Sequence, residues 1–158
     1  MWQGGPQAAA QPSSQTFVKD TRPLREKPYQ AKMRQDIGSY LVNTGFDVAP
    51  QMLQSITGKD FRAVFQHLIT CLDPCWPFEM DLRFEEHFMQ ALRAMKYPYI
   101  DQISVKWLPT PAAMNSWPAL LGMLHWLVEL GKVRWRRIVV HVFITTCVNI
   151  TDRLENDT

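Results

Sequence analysis

The sequence predicts an all-α domain built around one buried central helix. Three observations predict it. Ser116–Gly131, SWPALLGMLHWLVELG, is a long apolar run with helix punctuation at both ends. Thr57–Leu72 carries a helix start signal followed by a sustained apolar stripe. Two further stretches, 28–43 and 81–96, space their apolar residues at helical intervals.

In the central run, Ser116 is expected to accept from a free backbone N–H. Pro118 suits the first turn, where no backbone hydrogen bond is lost, and Gly131 is expected to close the far end in a left-handed turn. Leu120, Leu121, Met123, Leu124, Trp126, Leu127, Val128 and Leu130 cover almost every face, so this helix should be buried on most sides. At about 1.5–3 kcal/mol per fully buried large side chain, it supplies a large share of the burial energy. Its polar marks, His125 and Glu129, are four apart and share a face.

From the N-terminus, residues 1–19 read as a flexible tail dominated by Gly, Pro, Gln, Ala and Ser. DTRPLREK, Asp20–Lys27, follows, and Pro23 and Pro28 keep it extended until a helix can start. The first helix is predicted from Pro28 to Asn43, with Met33, Ile37, Tyr40 and Leu41 as its stripe. Gly45 ends it, and Phe46 folds back on the last turn. A short helical turn is predicted at Gln51–Ser55.

The second helix starts at Thr57 with Asp60 three residues on, a box-like cap, and buries Phe61, Val64, Phe65, Leu68, Ile69 and Leu72. Asp73–Pro74 stops it. The third is predicted over Asp81–Lys96, with Phe84, Phe88, Leu92 and Met95 inward. Residues 99–115 form a loop that carries Lys106 beside Trp107. After the central helix, Ile138–Ile150 is rich in β-branched residues and is predicted as a strand, although no partner strand is evident.

A chain of 158 residues fits one domain with a real core. A net charge of +2 does not announce nucleic-acid binding, and no nucleic-acid partner is expected. Six Trp and eight Phe exclude disorder throughout. Three cysteines form no disulfide framework, so reduced thiols in the cytosol or nucleus are expected. No secretory signal is visible, no run reaches the ~20 apolar residues of a membrane span, and no membrane partner is expected.

Little in the chain invites catalysis, and no enzyme is expected. His67, Cys71 and Cys75 are spaced by four, but Pro74 breaks the helix before Cys75 and a fourth ligand is missing. They read as buried thiols and a helix histidine; no metal or other cofactor is expected. Gly58–Lys59 lacks the upstream glycine of a phosphate loop. His87 and His125 stand isolated, and no Ser–His–Asp arrangement can be built. Asp36, Asp60, Glu85 and Glu86 read as solvated surface, and Trp107, Trp117 and Trp126 as core packing rather than a base-stacking platform. The cations Arg22, Arg25, Lys27, Lys59 and Lys106 fall at helix starts and loops, where they form either a scattered solvated set or a shared patch.

Several stretches resemble one family in order: DTRPLREK, LVNTGFD, TGKDFRAVFQHL, RFEEHFMQALRAMKYPY and NSWPALLGMLHWLVEL. The chain is similar here to the head domain of the HEC, or Ndc-eighty, family of kinetochore proteins, of fungal type, over about residues 20–132. The resemblance implies a calponin-homology fold around a buried central helix. It implies a location in the nucleus, at the kinetochore of the centromeric chromosome. It implies a head that binds microtubules through outward basic residues, with tubulin, a Nuf-two-like partner head and the other subunits of the Ndc-eighty complex as partners in chromosome attachment and segregation during cell division. The lysine ending the RPL-x-x-K motif corresponds to Lys27, and the lysine of the KDF triplet to Lys59. A third family lysine follows an Ile–Ser pair; here the order is Ile103–Ser104–Val105–Lys106, with the charge displaced by one residue. Arg22 and Arg25 complete the expected microtubule-binding set.

Two departures stand out. Family members carry a long basic N-terminal tail, and here a short, nearly uncharged segment precedes Lys19. They also continue into a long coiled coil, whereas 133–158 contains no heptads. The expectation is a C-terminally truncated head, in which an atypical tail, 133–158, arises from intron read-through at Val133. The alternative reading is a non-catalytic structural adaptor that docks a partner calponin-homology domain without binding the polymer.

Overall fold

The computed structural model describes residues 18–49, 51–78 and 81–156, with side chains to Val139. The tail expected over 1–19 lies outside these residues except for Val18 and Lys19. Four helices are described: α1, Lys27–Asn43; α2, Gly58–Leu72; α3, Phe84–Ala94; and α4, Trp117–Asn156. Two single 3-10 turns, Ile100–Gln102 and Val105–Trp107, lie between α3 and α4. No strand occurs among the described residues.

Local chemistry sets most helix ends. At α2 the capping box is complete: Asp60 N–H donates to Thr57 Oγ1 at 3.2 Å, and the Asp60 carboxylate accepts from the Thr57 backbone. At the end of α1, Gly45 adopts φ 81°, its N–H donates to the Val42 carbonyl, and the Phe46 N–H donates to the Leu41 carbonyl. Two free carbonyls are thereby satisfied. α3 closes in the same way but with a lysine in the left-handed position, Lys96 at φ 58°, so that Tyr97 N–H reaches the Leu92 carbonyl. α3 is shorter than its apolar spacing predicts. It starts at Phe84 rather than Asp81 because Arg83 is still extended, and it ends at Ala94.

The first part of α4 is the centre of the core. Leu120, Leu121, Met123, Leu124 and Val128 are fully buried, and Leu127 almost so. α1 and α2 pack directly on α4. α3 joins through a phenylalanine cluster in which the Phe65 and Phe88 centroids lie 4.8 Å apart and Phe84 meets Phe65 edge-on at 5.8 Å. The expected stripes hold: Met33, Ile37 and Leu41 of α1, and all six apolar residues of α2, are buried. Trp117 is buried and Trp107 and Trp126 pack against the core, as expected of structural rather than stacking residues.

Three expectations for α4 need correction. Ser116 does not cap it; its hydroxyl donates backward to the Pro111 and Ala113 carbonyls at 3.3 and 3.2 Å. Gly131 does not end it. The helix runs on through Ile138–Ile150, the predicted strand, to Asn156. Extending a formed helix adds one hydrogen bond per residue without a new nucleus. The β-branched preference is a weaker local bias, and a lone strand here has no sheet edge to join.

Gly131 has a different reason to be glycine. It is buried, and a Cβ there would lie 2.3 Å from Tyr40 Oη and 2.9 Å from its Cζ. The missing side chain lets α1 and α4 close on each other. Gly131→Ala is therefore expected to destabilise the domain. Overpacking costs about 1–3 kcal/mol, more than the ~1 kcal/mol gained in helix propensity. A thermal melt measures this, and Tyr40→Phe in the same chain should return part of the loss. An unchanged melt for Gly131→Ala would mean that the Tyr40 ring moves aside freely.

Candidate functional site

Residues 18–26 form a strap that is tied down at several points. Gln102 Nε2 donates to the Val18 carbonyl at 3.0 Å, and Gln30 Nε2 to the Leu24 carbonyl at 2.8 Å. Leu24 and Arg22 sit against Gly122 of α4, where a Cβ would meet Leu24 Cδ2 at 2.6 Å. The strap thus seats Leu24 in the space left by Gly122, and a methyl there would require the Leu24 side chain to shift.

Arg22 is the pin of this strap. Its Nε donates to Asp20 Oδ1 at 2.9 Å, its Nη1 to the Gly122 carbonyl at 2.8 Å and its Nη2 to Tyr97 Oη at 3.2 Å. Its guanidinium also lies over the Tyr99 ring, 4.9 Å from the centroid. Burial opposes the charge on Arg22, but the bond to Asp20 and the field of Tyr97 and Asp20 more than offset it, so its pKa is raised. Burial pushes the Tyr97 hydroxyl up to about 12 against the pull of Arg22. Arg22 therefore points its donors inward.

Arg25, Lys27, Lys59 and Lys106 are all exposed, and no carboxylate among the described residues pairs with them. Arg25 and Lys27 lie where the strap enters α1, and Lys59 lies in the first turn of α2. Lys106 lies in the second 3-10 turn, whose first residues are capped by Ser104 Oγ accepting from the Lys106 N–H. The backbone brings the last two segments together. A Cβ on Gly58 would stand 2.9 Å from the Pro109 carbonyl oxygen, so the start of α2 touches the loop that leaves the Lys106 turn. The strap that carries Arg25 and Lys27 is bonded in turn to Gln102, in the preceding turn. The cation-bearing segments are thus linked through backbone and side-chain contacts.

Two polar groupings escaped the sequence. Asp36 of α1 meets His125 of α4, Oδ2 to Nε2 at 3.1 Å, with Glu129 Oε1 3.7 Å from the same nitrogen and Lys132 Nζ 2.7 Å from Glu129. The ligand-type atoms of Asp36, His125 and Glu129 lie within 4.8 Å of one another. Lys132 already places a cation on Glu129, and the arrangement serves as a polar network across the α1–α4 contact. No sequence spacing links Asp36 to His125.

The second grouping surrounds His67. The Thr44 hydroxyl donates to the Tyr40 carbonyl at 2.9 Å, leaving its oxygen to face His67 Nε2 at 2.8 Å, and Cys71 Sγ is 3.5 Å from that nitrogen. Cys75 lies beyond the helix end, exposed. Burial lowers the proton affinity of His67 below its ordinary value. The unfolded chain then holds more protons between the lowered folded value and the ordinary histidine pKa of about 6.5, so stability is lost as pH falls through that window and levels off below it. Acidification from neutrality should lower the melting temperature, and His67→Gln should flatten that part of the profile. An equally steep profile in the variant would assign the effect to other groups.

These features define a class: an all-helical head of calponin-homology type, strapped shut by its N-terminal segment, with unpaired cations at its helix starts. The chain belongs to the HEC/Ndc80p family, whose model matches residues 28–138. It is 37% identical over 117 residues to the kinetochore protein ndc80 of Schizosaccharomyces pombe, a match covering 73% of this chain and 18% of that protein. It is 39% identical over 121 residues to the probable kinetochore protein NDC80 of Kluyveromyces lactis, again over 73% and 18%. The probable kinetochore protein NDC80 of Eremothecium gossypii is 36% identical over 135 residues, covering 82% of this chain and 20% of the relative. The chain spans about a fifth of the length of the curated relatives it matches.

Proposed function

We propose that this chain is a kinetochore head that docks on microtubules by electrostatic contact between exposed lysines and the acidic face of tubulin, in the nucleus on centromeric chromosomes. Lys27, Lys59 and Lys106, with Arg25, supply the contacts. Arg22 holds the strap from which Arg25 and Lys27 project. The observation that supports the reading is that these four cations are exposed, pair with no carboxylate among the described residues and lie on segments in contact with one another. A cation already paired with a carboxylate has little to offer an acidic polymer.

Each exposed pair contributes about 0.2–1 kcal/mol, so binding must use several at once and must weaken with salt. Cosedimentation of the full chain with microtubules at low and moderate salt tests this. Pelleting at low salt that fades as salt rises supports the proposal. A head that fails to pellet at low salt but binds a partner calponin-homology domain would favour the adaptor reading. Within the Ndc-eighty complex, a Nuf-two-like head is the proposed neighbour.

A further inference from the structure

Beyond the lysines of the head, α4 carries a second surface of different chemistry. Where α4 leaves the core it runs past the end of α1 and the end of α2, and a groove of about 770 Å³ opens there. Its apolar lining is Tyr40, Leu72, Pro74, Gly131, Trp135 and Ile138, and the one carboxylate in it, Asp36, faces His125 Nε2 at 3.1 Å. Gly131, Trp135 and Ile138 are spaced i, i+4 and i+7, so they form one stripe along α4, two turns or about 10 Å long. Trp135 is 67% exposed and Ile138 51%, which is unusual for large apolar side chains on a helix that is buried one turn earlier.

The helical period places Arg134 on one side of this stripe and Lys132 and Arg136 on the other. Arg134 and Arg136 are exposed and have no carboxylate partner among the described residues, and Lys132 has only Glu129. The geometry points to a docking site for an acidic amphipathic helix from a partner protein. Its apolar residues, at i, i+4 and i+7, would lie along Trp135 and Ile138, and its Asp and Glu residues on the two flanks would meet Arg134 and Arg136.

Charge selects this occupant over the others. A second copy laid in the same groove would bring the Arg134–Arg137 cluster against its own image, and like charges at close range repel. Residues 1–17 of this chain contain no Asp or Glu and cannot match the rim. A purely acidic, extended peptide would satisfy the rim and leave Trp135 and Ile138 wet. Only a helix with both faces answers both features.

The test uses the full chain and three fluorescently labelled synthetic peptides of equal length. One is helical with a Leu stripe and Glu flanks, one has the same stripe with Lys flanks, and one is oligoglutamate. Fluorescence anisotropy should show binding of the first alone, weakened at least about tenfold by Trp135→Ala, a truncation of an exposed aromatic anchor. The double reversal Arg134→Glu and Arg136→Glu should abolish it and should favour the Lys-flanked peptide instead. Both variants alter exposed residues, and far-ultraviolet circular dichroism checks that they fold. Microtubule pelleting should be unchanged in both, which separates this surface from Lys27 and Lys59. Equal binding of the Glu- and Lys-flanked peptides would overturn the charge argument. Binding of oligoglutamate as tightly as the amphipathic peptide would overturn the apolar one. A dimer in sedimentation velocity that Trp135→Ala dissolves would assign the groove to a second copy and overturn the proposal.

Discussion

Reversing Lys27 and Lys59 together to glutamate is expected to cut microtubule binding of this chain by about fourfold or more at low salt, since each reversal replaces an attraction of about 0.2–1 kcal/mol with a repulsion of similar size. Both side chains are exposed and neither takes part in a cap or an ion pair, so the variant should melt like the parent. Lys59 follows Gly58, whose backbone lies close to the Pro109 carbonyl, so the backbone from which this lysine projects is held in place. Lys106→Glu should add to the loss if the 3-10 turn presents its lysine to the same surface. Full binding by the Lys27→Glu, Lys59→Glu double variant would show that the contact lies elsewhere on the head.

The largest stability effect outside the core is expected at Arg22. Asp20, whose side chain is 5% exposed, would lose its ion pair with Arg22 in Arg22→Ala, and the Gly122 carbonyl and Tyr97 hydroxyl would lose a donor. Leaving a nearly buried carboxylate without its partner costs about 2–4 kcal/mol, a little below the cost of breaking a fully buried pair because Arg22 itself is partly exposed. Arg22→Lys keeps the charge but not the planar fork that serves Asp20, Gly122 and Tyr97 at once, and should recover only part of the loss. Thermal melts of the two variants measure both effects. If Arg22→Ala melts with the parent, the strap is not held by this residue. Because Arg25 and Lys27 follow on the same strap, the variant should also weaken microtubule binding without touching a contact residue.

Features that depend on neighbours in sequence were legible in advance. Thr57 and Asp60 are three residues apart, and the capping box they predict is present with both of its bonds. Gly45 and Phe46 close α1 as their order implies. The apolar stripes of α1 and α2, and the burial of α4, follow from period alone. What was not legible joins residues far apart in the chain. Arg22 read as one more surface cation until its donor to Gly122, 100 residues away, showed it facing inward. Asp36 and His125, 89 apart, each looked isolated. Gly131 has the composition of a helix end and the position of a contact, and only the Tyr40 ring distinguishes the two. The misread of Ile138–Ile150 has a different cause. Side-chain preference was weighed residue by residue, whereas the backbone there inherits a helix begun at Trp117. Of the five cations named from the sequence, the three lysines and Arg25 face solvent; the lysines were singled out by motif resemblance, since their positions at helix starts and loops did not distinguish a shared patch from a scattered set.

The unbroken run of α4 has a mechanical consequence. At 1.5 Å per residue its 40 residues make a rod about 60 Å long, whose fully buried positions among the described residues lie between Leu120 and Val128. A pull along the rod would try to slide it lengthwise out of its clasp, loading all of its packing contacts together, whereas a sideways push beyond Gly131 would act as a lever prying at the Tyr40–Gly131 seam. The domain is built to resist axial tension far better than bending.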